Sequence, residues 1–478
     1  MRRASVIGPL ILIGLGVLFL LRNFVPDIHI GALIAAYWPY VLILWGVLRL
    51  GEIAMWWFMG KPLPRNGVSG GEWVLVVFLC IFGSAFHAVR HYNGWFPDGR
   101  SIRGFMVNMG EPFDFTLDPV EKATGKTPRV IIESFRGDAR ITGGDEQSVK
   151  VTGRKSIRAF QQQDADRANN DTPLELVQQG DDIIVRTNQD RVTDSGRVKD
   201  ELEIAVPRGA TIEAHGRFGD FDITDLNGGV EIDSDNAGVR LQNIGGNVRV
   251  DLRKSDVVRA VGVKGNIELK GRGNDVELQD IGGLVTINGT WVGQKQFRNL
   301  SQPLRYDGSM LQLNCEKVPG QLRFESGELT GANIVGPIQL TANSTDVQLT
   351  EFTQALNLTI SRTGSIELRP GPTVPKMDVR TNSGDIDLAL PAAGRFDLRM
   401  STERGDAEND YGAPFKQEDD NRGAVISGGA GTGPTLRLTT GHGRITLHKS
   451  SGDETSPDVR NIPKPPTTPP APLKPQEQ

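Results

Sequence analysis

From about Val230 to Ile287 the chain repeats a short apolar-polar-apolar unit. Val230-Glu231-Ile232, Val239-Arg240-Leu241 and Val248-Arg249-Val250 open the series. Ile267-Glu268-Leu269, Val276-Glu277-Leu278 and Val285-Thr286-Ile287 continue it, and Val257-Val258-Arg259 fills the gap less well. The alternation is that of a strand with one buried face. Starts recur every nine or ten residues, separated by turn residues such as Asn227-Gly228-Gly229, Gly245-Gly246-Asn247 and Gly282-Gly283. Gly and Asn accept the positive φ of a tight corner. Strand and corner repeating at this pitch predict a β-solenoid, whose coils bury their inner faces only by stacking. If two units make one coil, Glu231 stacks beside Arg249 and Arg249 beside Glu268, opposite charges on neighbouring strands. Three units per coil would set Glu231 against Val258. The charge match favours two, and a coil of about eighteen or nineteen residues.

The same pattern extends in both directions. Before the repeat, Val130-Ile131-Ile132-Glu133, Ala139-Arg140-Ile141-Thr142 and Val149-Lys150-Val151-Thr152 read as strands. Ser156 to Asp171 reads as a short helix or a loop. After Ile287 the register loosens, and Trp291 to Pro303 is expected to loop out. The pattern returns at Leu311-Gln312-Leu313, is clear from Ile338 to Leu398, and ends with Leu436-Arg437-Leu438 and Ile445-Thr446-Leu447. A bare solenoid end is an open strand edge. The strands before Thr211 and those after Pro434 are therefore expected to act as caps. Residues 129–449 form the predicted solenoid, 93–128 a linker, and 450–478 a disordered tail rich in proline.

The first ninety residues are of another kind. Met1-Arg2-Arg3 is followed by an apolar run to Leu21, with no small-x-small cleavage site after it. Further apolar runs follow. Three transmembrane α-helices are predicted at about 5–22, 30–50 and 73–90. Arg2, Arg3, Arg49, Lys61 and Arg65 fall on one side, against Arg22 and Arg90 on the other. The excess of positive charge puts the N-terminus inside and the β region outside the cytoplasmic membrane. The expected class is thus an all-β, β-solenoid ectodomain, like a single-stranded β-helix, behind a bundle of three membrane helices.

Two stretches resemble known families. Gly8-Pro9-Leu10-Ile11-Leu12-Ile13-Gly14 and Trp38-Pro39-Tyr40-Val41-Leu42-Ile43-Leu44-Trp45-Gly46 look like the membrane segments of Lia-type bacterial envelope-stress proteins. Val130-Ile131-Ile132-Glu133, the Gly-Asn/Asp-Val/Ile-x-Leu units, Asn382-Ser383-Gly384-Asp385-Ile386-Asp387-Leu388 and Thr439-Thr440-Gly441-His442-Gly443-Arg444-Ile445 resemble a family of bacterial envelope proteins provisionally called adhesins. That resemblance implies a solenoid fold and no catalytic residue. The Lia-type resemblance implies a regulator acting on a sensor kinase.

With 478 residues and a net charge of −5, the chain has no basic stripe suited to nucleic acid. Cys80 and Cys315 are expected to be free. Asp220, Asp222 and Asp225, with Asp233 and Asp235 one unit later, are the best acidic cluster. Paired carboxylates could act as acid and base or hold calcium. Asp also belongs at corners because it caps turns, and that reading is preferred. His87 and His91 are spaced i, i+4 but have no third metal ligand nearby, and His29, His215, His442 and His448 have no partner at a defensible spacing. No catalytic, metal or cofactor residue is assigned. The expected partners are the membrane and either an envelope polymer or another membrane protein. A carbohydrate-active enzyme is the rival class.

Overall fold

The computed structural model describes residues 110–192, 197–429 and 431–450, with a few helical positions between Ile43 and Val77. All but those few positions of the expected membrane spans lie outside the described residues, as do the proline-rich tail, Cys80, His29, His87 and His91. Among the described residues no helix is long and apolar enough to cross a membrane. Two compact units are present. One comprises the described part of residues 1–118 with Gly153–Leu174 and Thr187–Glu201, and the other comprises Pro119–Thr152, Glu175–Arg186 and everything from Leu202 onward.

The larger unit is a stack of two-strand coils. Sheet I collects Thr211–Phe218, Val230–Asn236, Val248–Leu252, Ile267–Gly273, Val285–Trp291 and Leu304–Gly308 in parallel register. Sheet II collects Phe221–Leu226, Val239–Ile244, Val257–Val263, Asp275–Ile281 and Lys295–Leu300. Val230 pairs with Val248, Val248 with Ile267 and Ile267 with Val285, so one coil advances 18 or 19 residues. Arg249 stands between Glu231 and Glu268, with its Nε 3.8 Å from the Glu231 carboxylate, as two units per coil require. Inward residues such as Val230, Ile232, Leu241, Val250, Leu269 and Ile287 are buried between the sheets. Each such side chain contributes on the order of 1.5–3 kcal/mol, and only when its neighbour coil is present.

Three departures from the sequence reading have local causes. The unit near Val257 is shifted by one residue. Val258 and Ala260 point inward, in register with Val239 and Leu241, and the small Ala260 weakens the pattern. Trp291 to Pro303 does not loop out. Lys295–Leu300 is a strand in register with Val276–Ile281. Its inward first residue is Lys295, whose Nζ donates to the Trp291 carbonyl at 2.9 Å and sits 5.1 Å from the Phe324 ring centroid. A lysine in the apolar slot hid the strand. The real irregularity is a reversed coil. Leu311–Cys315 and Val318–Glu325 run antiparallel to their neighbours on both sides. Ser326 and Gly327, both at positive φ, turn the chain back, and parallel stacking resumes.

The ends also differ from expectation. The strands after Pro434 are not a cap. Thr435–His442 lies between Met377–Ser383 and Asp397–Arg404, and Ile445–Lys449 lies between Ile386–Leu390 and Ala407–Asn409. The last coil in sequence is inserted before the last coil in space. The outer end is closed by the hairpin of Lys416–Asp419 with Ala424–Gly429 and by stacked rings. Phe396 and Phe415 are 5.6 Å apart, with Tyr411 edge-on to Phe415 at 5.1 Å. The segment expected as a linker holds the strand Glu111–Ala123. Phe113, Phe115 and Leu117 alternate there, while Pro112 and Pro119 masked the signal.

In the smaller unit the helix Gln162–Asp171 buries Ala165 and Ala168 against Ile157, Ala159, Val192 and Val198, with Phe113 and Phe115 packed at the margin.

Candidate functional site

The acidic cluster of the sequence reading is brought together as corner and strand residues of adjacent coils. Asp220 Oδ1 accepts from the Gly238 amide at 2.9 Å, and Oδ2 accepts from Arg240 at 2.9 Å. Asp222 is 3.6 Å from Arg140, and Asp235 is 3.1 Å from Arg253. Asp225 takes a left-handed φ of 60° and accepts from the Asn243 amide at 2.9 Å. Asp233 stands in register with Asp251. Four of the five thus have cap or ion-pair partners in an adjacent coil.

This is one case of a general device. Asn247 Oδ1 accepts from the Asn266 amide and Asn266 Oδ1 from the Leu284 amide. Asp275, Asp346 and Asp385 do the same for Gln294, Ser365 and Arg444. Each corner carboxylate or amide ties its coil to the next and satisfies a backbone donor that the turn leaves free. Asp220→Ala is expected to cost about 1 kcal/mol, the worth of such a bond. Asp222→Ala, which loses only an exposed ion pair, is expected to cost less than about 0.5 kcal/mol. Chemical denaturation of both variants checks this, and an unchanged midpoint for Asp220→Ala would remove the cap role.

Other chemistry-bearing groups are dispersed. Among the described residues no group of three or more His, Cys, Asp or Glu side chains could hold a metal. Cys315 is free and buried, and burial pushes its thiol up to about 12. His215 meets Glu213 at 2.9 Å, and Glu213 also bonds Arg129. His448 lies 3.3 Å from Asp387, and His442 Nε2 lies 3.2 Å from Arg404. The first histidine pairs along its own strand, and the other two pair outward across neighbouring strands.

The smaller unit holds a buried polar cluster that sequence reasoning missed. Lys155 donates from Nζ to the Thr172 carbonyl, and Thr172 Oγ1 donates to the Ala168 carbonyl at 2.8 Å. Gln189 donates to Asp200 Oδ2 at 2.8 Å, while Asp200 Oδ1 has no hydrogen-bond partner among the described residues. Burial pushes the Asp200 carboxyl up to about 7, against the pull of Lys155 and Gln189. No spacing in the sequence marks these residues, because the helix Gln162–Asp171 separates Lys155 from Asp200. A carboxyl raised on folding from about 3.9 binds its proton more tightly in the folded state. Its contribution to stability is complete at low pH and is lost as pH rises through about 7. Lys155 is pushed down by burial, so its contribution runs the other way, growing as pH rises toward its ordinary value. Amides of Gln162–Asp171 are therefore expected to lose hydrogen-exchange protection between about pH 5 and pH 7.5, and Asp200→Asn to abolish that loss. An identical pH trend in the variant would refute this assignment.

A family model described as Toastrack DUF4097 matches residues 129–448. A model described as the LiaF transmembrane domain matches residues 7–96. No curated protein matches the chain. Among solved structures, a provisionally assigned cell adhesion protein from Clostridium sporogenes is similar at 9% identity, over 71% of this chain and 100% of that one. Its TM-score is 0.16, so the likeness supports no statement about this chain. None of these descriptions is of an enzyme.

Proposed function

The chain belongs to the Toastrack DUF4097 family and carries a membrane anchor similar to that of LiaF; on that premise we propose that it displays the solenoid outside the cytoplasmic membrane as a binding or scaffolding surface. The observation that carries this reading is the outward face of the stack. Its polar rows run from coil to coil at one spacing, held by cross-coil caps and ion pairs. Such a face is rigid and extended, suited to a partner larger than a small molecule. In this reading three helices at about 5–22, 30–50 and 73–90 hold the chain, with its N-terminus inside. The test is retention by isolated cell-envelope material of the full chain in zwitterionic nanodiscs, with residues 1–109 alone as control. Retention of the full chain above the control supports the reading, and equal retention overturns it.

The match to the LiaF transmembrane domain favours a second reading, regulation of an envelope-stress kinase through the membrane helices. Co-purification of a sensor kinase with residues 1–109 alone would favour it, and recovery only with the β region would not.

A further inference from the structure

We propose that the outward face of the sheet formed by Met377–Ser383, Thr435–His442, Asp397–Arg404, Ala424–Gly429 and Lys416–Asp419, near the C-terminal end of the stack and centred on Arg399 and Arg437, binds a linear anionic polymer. This deepens the surface-binding reading and rests on it. One row crosses the strands there as Asp378, Arg437, Arg399, Ser427 and Lys416, each in register with the next. Arg437 and Arg399 are thus neighbours on parallel strands about 4.8 Å apart, where like charges repel.

Elsewhere the stack neutralises such neighbours. Arg249 lies between two glutamates. The in-register pair Arg240 and Arg259 each reach a carboxylate, Asp220 at 2.9 Å and Glu277 at 3.2 Å. Arg399 and Arg437 are exposed and form no ion pair with any described residue, and the neighbouring Asp378 pairs instead with Arg380, through Oδ2 at 3.2 Å. The adjoining rows add Arg380, Thr439 and Ser401, with the two hydroxyl oxygens 3.4 Å apart, and then His442 and Arg404. The exposed acids Glu403 and Glu418 flank the patch.

The chemistry of the occupant follows. Guanidinium groups bind phosphate and carboxylate with paired hydrogen bonds, and hydroxyls donate further ones. The cations lie in a line over four strands, about 14 Å, rather than around a hollow. That arrangement suits charges repeated along a chain more than one small anion. Stacking aromatics are absent from the rows, which disfavours single-stranded nucleic acid.

The test uses the full chain in detergent with four probes: poly(glycerol phosphate), polygalacturonate, neutral dextran and phosphatidylglycerol vesicles. The wild type is expected to bind the phosphate polymer at least about tenfold more tightly than dextran, weakening as salt rises. Polygalacturonate binding as tightly makes regular anionic charge the recognised feature, and weaker binding makes it phosphate; both keep the site. R399S/R437S should lose about tenfold, while R240S/R259S, which removes equal charge elsewhere, should change by less than about threefold. Unchanged melting curves would show both variants folded. Equal losses in the two variants, no loss in R399S/R437S, or binding to vesicles without binding to polymer would overturn the site. Such a failure beside intact retention by envelope material leaves the surface-binding reading standing; loss of both removes both.

Discussion

Ending the chain at Pro434 is expected to unravel the C-terminal third of the solenoid, although it removes only the last coil in sequence. That coil is an inner layer. Leu436, Leu438, Ile445 and Leu447 are fully buried, and their strands are paired on both sides. Without them, Met377–Leu390 and the terminal coil face a gap one strand wide. Four aliphatic side chains lose burial worth roughly 1.5–3 kcal/mol each, and two sheet edges open. Glycine geometry shows how closely the layer is seated. Gly384, Gly443 and Gly405 have φ of 142°, 144° and 153°, and a Cβ on Gly443 would lie 2.2 Å from the Gly384 carbonyl oxygen. The expected result is loss of exchange protection from about Ile338 onward, with the coils at Val230–Ile287 protected as before. A truncated chain with native protection at Leu356–Thr363 would contradict this insertion.

Gly289→Ala is expected to be among the most destabilising single substitutions in the regular coils. Gly289 has φ of 130°, and an added Cβ would lie 1.9 Å from the Gly271 carbonyl oxygen. Gly271 is its in-register neighbour in the coil below, so the clash is with backbone and no rotamer can relieve it. Backbone strain of about 1–3 kcal/mol adds to the cost of prising two strands apart, giving a loss of roughly 3 kcal/mol or more. Gly125→Ala, where nothing lies within 4 Å, is expected to be nearly neutral. Urea denaturation of the two variants separates these outcomes.

The regular coils were legible because side-chain period reports directly on which face a strand buries. Two units per coil could be argued from Glu231, Arg249 and Glu268 alone, and the register bears it out. Strand order is a different matter. Leu436-Arg437-Leu438 reads like any other unit, and nothing local says that it slots beneath Leu398 rather than beyond it. The same limit hid the reversed coil at Leu311–Glu325, since a period of two is identical in either direction. Lys295 hid a strand and Ala260 blurred a register for a simpler reason, that an inward position can hold a capped lysine or a small residue. As for sites, the Asp220 cluster was readable as turn caps. The Lys155–Asp200 cluster and the Arg399–Arg437 row were not, since both are made by pairings between distant segments.

On the proposed reading the solenoid stands outside the cytoplasmic membrane, available to the envelope. A stacked β body resists protease, so a surface thiol is the sharper probe. Cys315 is buried and unreactive at neutral pH, and Cys80 can be replaced by serine, which leaves Asp420→Cys at the exposed hairpin turn as the reporter. Treatment of intact spheroplasts with a membrane-impermeant maleimide is predicted to label this cysteine as fully as it does after lysis. Labelling that appears only after lysis would put the solenoid in the cytoplasm and contradict the account.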